Sequence, residues 1–72
     1  MSNNFRRGQQ VSWKWGRGCG HGTVVEKFSR RVQRTIRGEK IVRKGSDVNP
    51  AYLVDSEGGS QVLKLGSELE KA

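Results

Sequence analysis

The sequence predicts an all-β domain in which five short strands curl into a small barrel and are followed by one helical turn. Three observations support this fold class. Polar and apolar residues alternate strictly over residues 10–15, as in a strand with one buried face. Short runs of β-branched and aromatic residues are separated by glycine-containing turns, and no long segment has the apolar period of a helix. Five short strands bury their apolar faces and protect their edges when the sheet closes on itself.

The first predicted strand covers residues 10–15 and places Val11, Trp13 and Trp15 on one face. Residues 16–22 follow, with a glycine at every second position. Glycine tolerates backbone conformations that other residues avoid. This segment is therefore predicted to be a loop.

The second predicted strand runs through residues 23–37 and bends or bulges at residues 29–31. Gly38 and Glu39 then form a two-residue turn, and a glycine in the first position favours type II′. That turn pairs Arg34 with Arg43 across a hairpin whose other strand is residues 40–44. Like charges directly opposite each other destabilise a hairpin, so the pair suggests an anion-binding ribbon. The alternatives are guanidinium groups that extend into water or a different register.

The remaining segments complete a single domain over residues 9–70. Residues 45–50 form a loop, because Pro50 disfavours helix for the residue before it. The fourth and fifth strands cover residues 51–55 and 61–65. Ser67 is the predicted N-cap of a short helical turn at residues 66–70. Residues 1–8 are predicted to be a flexible basic N-terminal arm.

An SH3-like barrel is the predicted architecture, and an OB-fold is the alternative. The OB-fold usually carries a helix between its third and fourth strands. Residues 45–50 occupy that place here and are too few for a helix.

The composition excludes several classes of protein. A chain of 72 residues has room for one domain. No apolar run approaches the roughly 20 residues of a membrane helix, and the first residues lack the apolar region of a secretory signal. The single cysteine excludes an internal disulfide, and one cysteine with one histidine cannot supply the four ligands of a zinc site. We therefore expect a cytoplasmic, monomeric protein with no metal, no cofactor and no membrane partner.

The charge is unevenly distributed along a chain of net charge +7. Residues 1–44 contain 12 of the 14 basic residues and two of the seven acidic ones. The other five acidic residues lie in residues 45–72. Such an asymmetric field directs polyanions toward one face of a protein.

The basic residues concentrate on the predicted hairpin, and this is the strongest functional signal in the sequence. Arginine forks match the geometry of phosphate groups, and small β-barrels bind nucleic acids through basic ribbons with exposed aromatic rings. A solvated basic face that only keeps the protein soluble explains the cluster equally well. The predicted nucleic-acid-binding residues, for DNA or RNA, are Arg17, Arg30, Arg31, Arg34, Arg37, Lys40, Arg43 and Lys44.

A peptide-binding module is the alternative function. Its aromatic groove would use Trp13, Trp15 and Tyr52 and would lie between residues 16–22 and residues 47–50. Large rings dominate the burial available to a small domain, so at least one of the two tryptophans on the shared strand face is expected in the core.

An enzymatic function is not expected. Cys19 and His21 are two residues apart, yet the predicted glycine-rich loop holds neither in place and no third group orients them. The alternating glycines match neither a P-loop nor the dinucleotide-binding fingerprint. The protein is therefore predicted to be a non-enzymatic binding module.

Several short motifs resemble the hypervirulence-associated Tudor-domain family, small proteins of bacteria and fungi. The motifs are Gly-Gln-Gln-Val-Ser-Trp at 8–13, His-Gly-Thr-Val-Val-Glu at 21–26, Thr-Ile-Arg-Gly at 35–38, Asn-Pro-Ala-Tyr-Leu-Val at 49–54, and Val-Leu-Lys at 62–64 with Ser-Glu-Leu at 67–69. The resemblance implies a Tudor/SH3-like β-barrel and implies no particular activity. The glycine-rich segment 16–20 and the arginine-rich hairpin depart from the family pattern.

Overall fold

The protein is described by a computed structural model that covers residues 4–72. These residues form seven strands and one short 3₁₀ helix, which confirms the all-β fold class. The strands are β1 Gln10–Trp15, β2 Gly18–Phe28, β3 Arg31–Ile36, β4 Glu39–Lys44, β5 Ala51–Ser56, β6 Gln61–Leu65 and β7 Glu70–Lys71, and the 3₁₀ helix is Gly66–Glu68.

The predicted count of five strands was wrong for two reasons. The continuous strand expected over residues 23–37 is interrupted at Ser29 and Arg30, where the chain bends out of the sheet and begins β3. In addition, β7 is only two residues long, which is too short to show an alternating pattern. It pairs with β1 at Val11 and Ser12.

The strands form two hydrogen-bonded sheets. Five strands pair in the order β6-β5-β2-β1-β7, and β3 and β4 form a separate hairpin. Every pairing between neighbouring strands is antiparallel. The hydrogen-bonded ladder therefore does not continue from β6 to the hairpin, and the structure does not show a closed barrel.

The alternating glycines belong to a strand, so the loop predicted at residues 16–22 was wrong. Only Gly16 and Arg17 form the turn, and β2 begins at Gly18. The glycines on β2 lie opposite the large residues of β1, in the pairs Trp15–Gly18, Trp13–Gly20 and Val11–Gly22. A Cβ at Gly20 would collide with the Trp13 ring, and one at Gly22 would collide with the Asp55 carbonyl oxygen. The glycines therefore make room for neighbouring groups.

The turn of the β3–β4 hairpin lies one residue earlier than predicted, so each residue of β3 pairs two residues away from its predicted partner. Its turn is Arg37-Gly38, and both residues have positive φ, at 52° and 79°. This is the backbone of a type I′ turn, whereas residues 38–39 were predicted to form a type II′ turn. Ile36 consequently pairs with Glu39, and Arg34 pairs with Ile41 instead of Arg43.

The core consists of two clusters of buried side chains. One cluster lies on β1, β2 and β5 and contains Phe5, Val11, Trp13, Val24, Tyr52, Val54 and Leu69. The other lies where β5 and β6 meet β3 and contains Phe28, Val32, Ala51, Leu53 and Leu63. The hairpin therefore contributes one buried side chain, Val32, to the core.

The described part of the predicted N-terminal arm lies against the core. The Phe5 ring packs edge-on against the Tyr52 ring, with centroids 5.5 Å apart. The Phe5 amide donates to the Tyr52 hydroxyl oxygen at 2.8 Å, and the Gly8 amide donates to the Val24 carbonyl at 2.8 Å. Residues 1–3 of the arm lie outside the described residues.

The C-terminal segment is hydrogen-bonded to the loop at residues 45–50. The 3₁₀ helix Gly66–Glu68 is shorter than the helical turn predicted at 66–70, and its N-cap is Leu65 instead of Ser67. The Leu65 amide donates to a Glu68 carboxylate oxygen at 2.9 Å. The Ser67 amide donates to the Asn49 side-chain oxygen at 2.9 Å, which fastens the loop at 45–50. Within residues 4–72, none of the helical structure has the length and apolar character needed to cross a bilayer.

Candidate functional site

The β3–β4 hairpin has two faces of different chemistry. Residues paired directly across an antiparallel ladder project to the same side. The pairs Val32–Arg43, Arg34–Ile41 and Ile36–Glu39 therefore share the inner face, toward the rest of the protein. The pairs Arg31–Lys44, Gln33–Val42 and Thr35–Lys40 share the other side, which we call the outer hairpin face.

Two of the predicted nucleic-acid-binding residues, Arg34 and Arg43, lie on the inner face and have acidic partners. Arg34 lies 3.4 Å from a carboxylate oxygen of Glu26, and its guanidinium carbon is 4.8 Å from the centre of the Phe28 ring. Arg43 lies 3.5 Å from a carboxylate oxygen of Glu68. These two arginines therefore connect the hairpin to acidic side chains outside it, and Arg43 shares Glu68 with Lys64.

Three other predicted residues, Arg31, Lys40 and Lys44, lie on the outer hairpin face, and all three are exposed. Arg31 and Lys44 are directly opposite each other, so the like-charge pair predicted for Arg34 and Arg43 occurs at this position instead. The ion pairs formed within residues 4–72 use other basic residues, namely Arg34, Arg43 and Lys64. The outer hairpin face therefore presents three positive charges without a compensating acidic side chain.

The remaining predicted basic residues lie in turns and bends. Arg30 is at the bend before β3, where its guanidinium carbon is 5.7 Å from the Phe28 ring centre and its Nη1 donates to the Arg31 carbonyl at 3.3 Å. Arg17 is exposed in the β1–β2 turn, and Arg37 is exposed in the β3–β4 turn. The structure thus divides the eight predicted residues among an outer face, an inner face and separate turns.

The three rings predicted to form an aromatic groove do not come together, because Trp13 and Trp15 line one depression and Tyr52 is not part of it. Tyr52 is completely buried, Trp13 is 6% exposed, and Trp15 is 62% exposed. The core position expected for at least one tryptophan is thus occupied by Trp13. The two segments expected to flank the groove also lie apart, because β2 pairs with β5 from Gly22–Ser56 at one end to Phe28–Ala51 at the other. The groove predicted between these segments is therefore not formed.

Two surface depressions involve residues that the sequence did not single out. A groove of about 330 Å³ lies between the hairpin and β6, with Ile36, Ile41 and Val62 among its lining residues. A wider depression of about 590 Å³ lies at the end of the molecule where the β1–β2, β3–β4 and β5–β6 turns meet, and it is lined by Trp15, Arg37 and Lys64 among others. Lys64 was missed because β6 approaches β4 only in the folded chain, and no local pattern in the sequence records that approach.

Cys19 and His21 lie exposed on β2, opposite Lys14 and Ser12 of β1. Hydrogen bonds that would orient either side chain are not present among the interactions of residues 4–72. These residues also contain no group of three His, Cys, Asp or Glu side chains arranged to hold a metal ion.

The comparison with protein families agrees with the motifs in the sequence. The family described as the hypervirulence associated proteins TUDOR domain matches residues 8–69, which is nearly the whole chain. The chain belongs to this family. The hypervirulence-associated Tudor family has no known function, so membership supports the β-fold and leaves the ligand open. Neither the comparison with curated proteins nor that with solved structures finds a match.

Proposed function

We propose that the protein is a non-enzymatic module that binds nucleic acid through the outer hairpin face. The observation that carries this proposal is the direct cross-strand pairing of Arg31 with Lys44, two exposed cations with no acidic partner. Like charges in this arrangement destabilise a hairpin by a few tenths of a kcal/mol to about 1 kcal/mol. A bound phosphate would be attracted to both Arg31 and Lys44 and would offset the repulsion between them.

The distribution of the acidic residues supports the same assignment. Glu26 and Glu68 neutralise the inner arginines, and the outer hairpin face has no such partner within the described chain. Arg31 offers a planar fork for phosphate oxygens, while Lys40 and Lys44 add point charges along the same side. Gln33 and Thr35, which lie between the cations on the same face, also offer hydrogen bonds to a phosphate backbone.

A direct test measures the anisotropy of fluorescein-labelled DNA and RNA oligonucleotides at about 50 and 200 mM salt. The double variant Arg31→Gln with Lys44→Gln is expected to bind at least about tenfold more weakly. It should also reduce the slope of log affinity against log salt by about 2.

The matched control is Arg6→Gln with Arg7→Gln, which removes the same net charge from exposed residues outside the hairpin. This control is expected to stay within about twofold of the parent at the lower salt concentration. Equal losses in the two double variants would show that net charge alone drives binding. Lack of binding by the parent protein at both salt concentrations would refute the proposed function.

The groove between the hairpin and β6 supports a second candidate function, which is binding of an extended peptide. β6 is the last strand of the five-stranded sheet, and sheet edges accept added peptide strands. The groove combines apolar Ile41 and Val62 with the cationic side chains of Arg37 and Lys64, which favours an acidic peptide with apolar side chains. An amide NMR titration separates the candidates, because a peptide should shift Ile41 and Val62 whereas an oligonucleotide should shift Arg31 and Lys44.

The proposal also includes the architecture and the state in which the module works. We infer that the two sheets curl toward each other as an SH3-like barrel, since β4 and β6 line one groove and Arg43 of β4 reaches Glu68 beyond the end of β6. We infer a monomer without cofactors that works in the cytoplasm. Size-exclusion chromatography with light scattering tests the oligomeric state, and a mass near 16 kDa instead of 8.1 kDa would contradict it.

A further inference from the structure

Trp15 is a large aromatic side chain that the fold leaves uncovered. It lies on the same face of β1 as Val11 and Trp13, both of which are buried, yet it is 62% exposed because the core ends before the last residue of the strand. Exposing an indole forfeits the stabilisation that its burial would contribute. Trp15 and Val48 are the exposed large hydrophobic residues of the described chain.

The Trp15 ring lies over the neighbouring strand. Gly18 is its direct partner on β2, and a Cβ at Gly18 would lie 3.5 Å from Cζ2 and 3.6 Å from Cε2 of the indole. The Trp15 ring therefore lies over Gly18, less closely than the Trp13 ring lies over Gly20, where a Cβ would collide with the indole. Trp15 is thus a supported aromatic surface, and its exposure is not the result of a side chain extended into water.

The surroundings of Trp15 are polar and contain two cations. The depression of about 590 Å³ brings together Trp15, Arg37 from the β3–β4 turn and Lys64 from β6. The β5–β6 turn, with Glu57 and Ser60, forms another wall. Arg37 lies in the turn at the tip of the hairpin, between the paired residues Ile36 and Glu39. It has no ion-pair partner within residues 4–72. An aromatic surface therefore lies beside free positive charge at the end of the proposed phosphate-binding hairpin.

We propose that Trp15 stacks an unpaired base, so that the ligand class is single-stranded nucleic acid and not duplex. This inference rests on the proposed function, because it assigns the bases of the same ligand whose phosphates meet the outer hairpin face. Bases within a duplex are stacked on one another and cannot cover the indole without disrupting the helix. Bases of a single strand are available, and stacking on an aromatic ring accepts any base. Arg37 would contact the phosphate next to the stacked base.

The test compares three ligands of equal length, about 12 nucleotides: oligo(dT), a duplex, and an abasic strand that keeps the phosphate backbone but lacks bases. Affinities are measured by anisotropy with the parent protein and with Trp15→Leu and Trp15→Phe. Val48→Ser is the matched control, because it removes an exposed apolar side chain from the loop at 45–50, away from the depression. Circular dichroism confirms that each variant is folded.

We expect Trp15→Leu to weaken oligo(dT) binding by about 5- to 150-fold, the effect of losing one stacked base. Trp15→Phe should retain affinity within about threefold of the parent because the phenyl ring also stacks. Val48→Ser should have no effect, and binding of the duplex and of the abasic strand should not depend on Trp15. Oligo(dT) should also quench the tryptophan fluorescence of the parent, since Trp13 is buried and Trp15 is the accessible indole.

Two negative results have different meanings. The first result is that Trp15→Leu binds oligo(dT) with the parent's affinity while the double variant Arg31→Gln with Lys44→Gln binds more weakly. The base-stacking inference is then wrong and the proposed function stands. The inference is also wrong if Trp15→Leu weakens duplex and single strand equally. If the parent binds none of the three ligands at about 50 mM salt, the proposed function fails and the inference fails with it.

Discussion

The two hairpins of this protein use their side chains in opposite ways. In the β1–β2 hairpin, large rings on one strand pack over glycines on the other, and Val11 and Trp13 are buried in the core cluster that also contains Phe5. In the β3–β4 hairpin, Val32 is the one buried side chain, and cations cover both faces. The first hairpin therefore supplies stability, while the second is free to carry charge that contributes little to folding.

The difference lies in which residues face each other across the ladder. A cross-strand pair of an aromatic ring and a glycine fills space and removes apolar surface from water. A pair of an arginine and a lysine, as in Arg31–Lys44, has neither effect and adds electrostatic repulsion. Substitutions in the two hairpins should consequently differ in size and, for the outer cations, in sign.

The largest effect is expected for Trp13→Ala in the first hairpin. Removing a buried indole from a core of this size should lower the free energy of unfolding by about 3–5 kcal/mol. Because a small domain has only a few kcal/mol of stability, the variant should be largely unfolded at 25 °C. Urea denaturation followed by circular dichroism measures this. A variant with unchanged stability would show that Trp13 is not part of the core.

Gly22→Ala should be the next most damaging substitution. The new methyl group would meet the Asp55 carbonyl oxygen and lie 2.7 Å from Cγ1 of Val54, so β2 and β5 would have to separate. We expect a loss of about 1–3 kcal/mol, measured as a lower midpoint in urea. Gly58→Ala is the control, because a Cβ there has one neighbour within 4 Å, the Ser56 hydroxyl at 3.9 Å. Equal effects of the two substitutions would contradict the packing role of Gly22.

Tyr52→Phe probes the contact between the N-terminal segment and the core. It removes the hydroxyl oxygen that accepts the Phe5 amide at 2.8 Å and leaves a buried donor without that partner. The expected loss is about 1–2 kcal/mol, with faster hydrogen exchange at the Phe5 amide. Unchanged exchange at Phe5 would show that this segment does not depend on Tyr52.

The smallest expected effect is a gain, at Arg31→Thr in the second hairpin. The substitution removes the repulsion with Lys44 and introduces a β-branched residue, so stability should rise by a few tenths of a kcal/mol to about 1 kcal/mol.

Arg34→Gln on the inner face should instead lower stability by up to about 1 kcal/mol, since it removes a partly exposed ion pair with Glu26 and the contact with Phe28. Thermal unfolding measures the stability of Arg31→Thr and of Arg34→Gln. Stability changes of the same sign in the two variants would disprove the description of two different faces.

The sequence by itself determined the all-β fold class and the location of the charge. Alternation over residues 10–15 predicted β1, and residues 61–65 were predicted as the last long strand, β6, both with the bounds that the structure has. The concentration of basic residues in residues 30–44 identified the hairpin that carries them. These features are local, because the two-residue period of a strand and the charge of a segment do not depend on distant contacts.

Only the tertiary structure decided which side chains act together. A type I′ turn at Arg37-Gly38 changed the cross-strand partner of Arg34 from Arg43 to Ile41. The packing of the hairpin against the five-stranded sheet placed Arg34 beside Glu26 and Arg43 beside Glu68. The same long-range packing buried Trp13, left Trp15 exposed and placed Lys64 near the hairpin tip. An alternating pattern states which residues share a face, but the partner strands decide which face is covered and where the core ends.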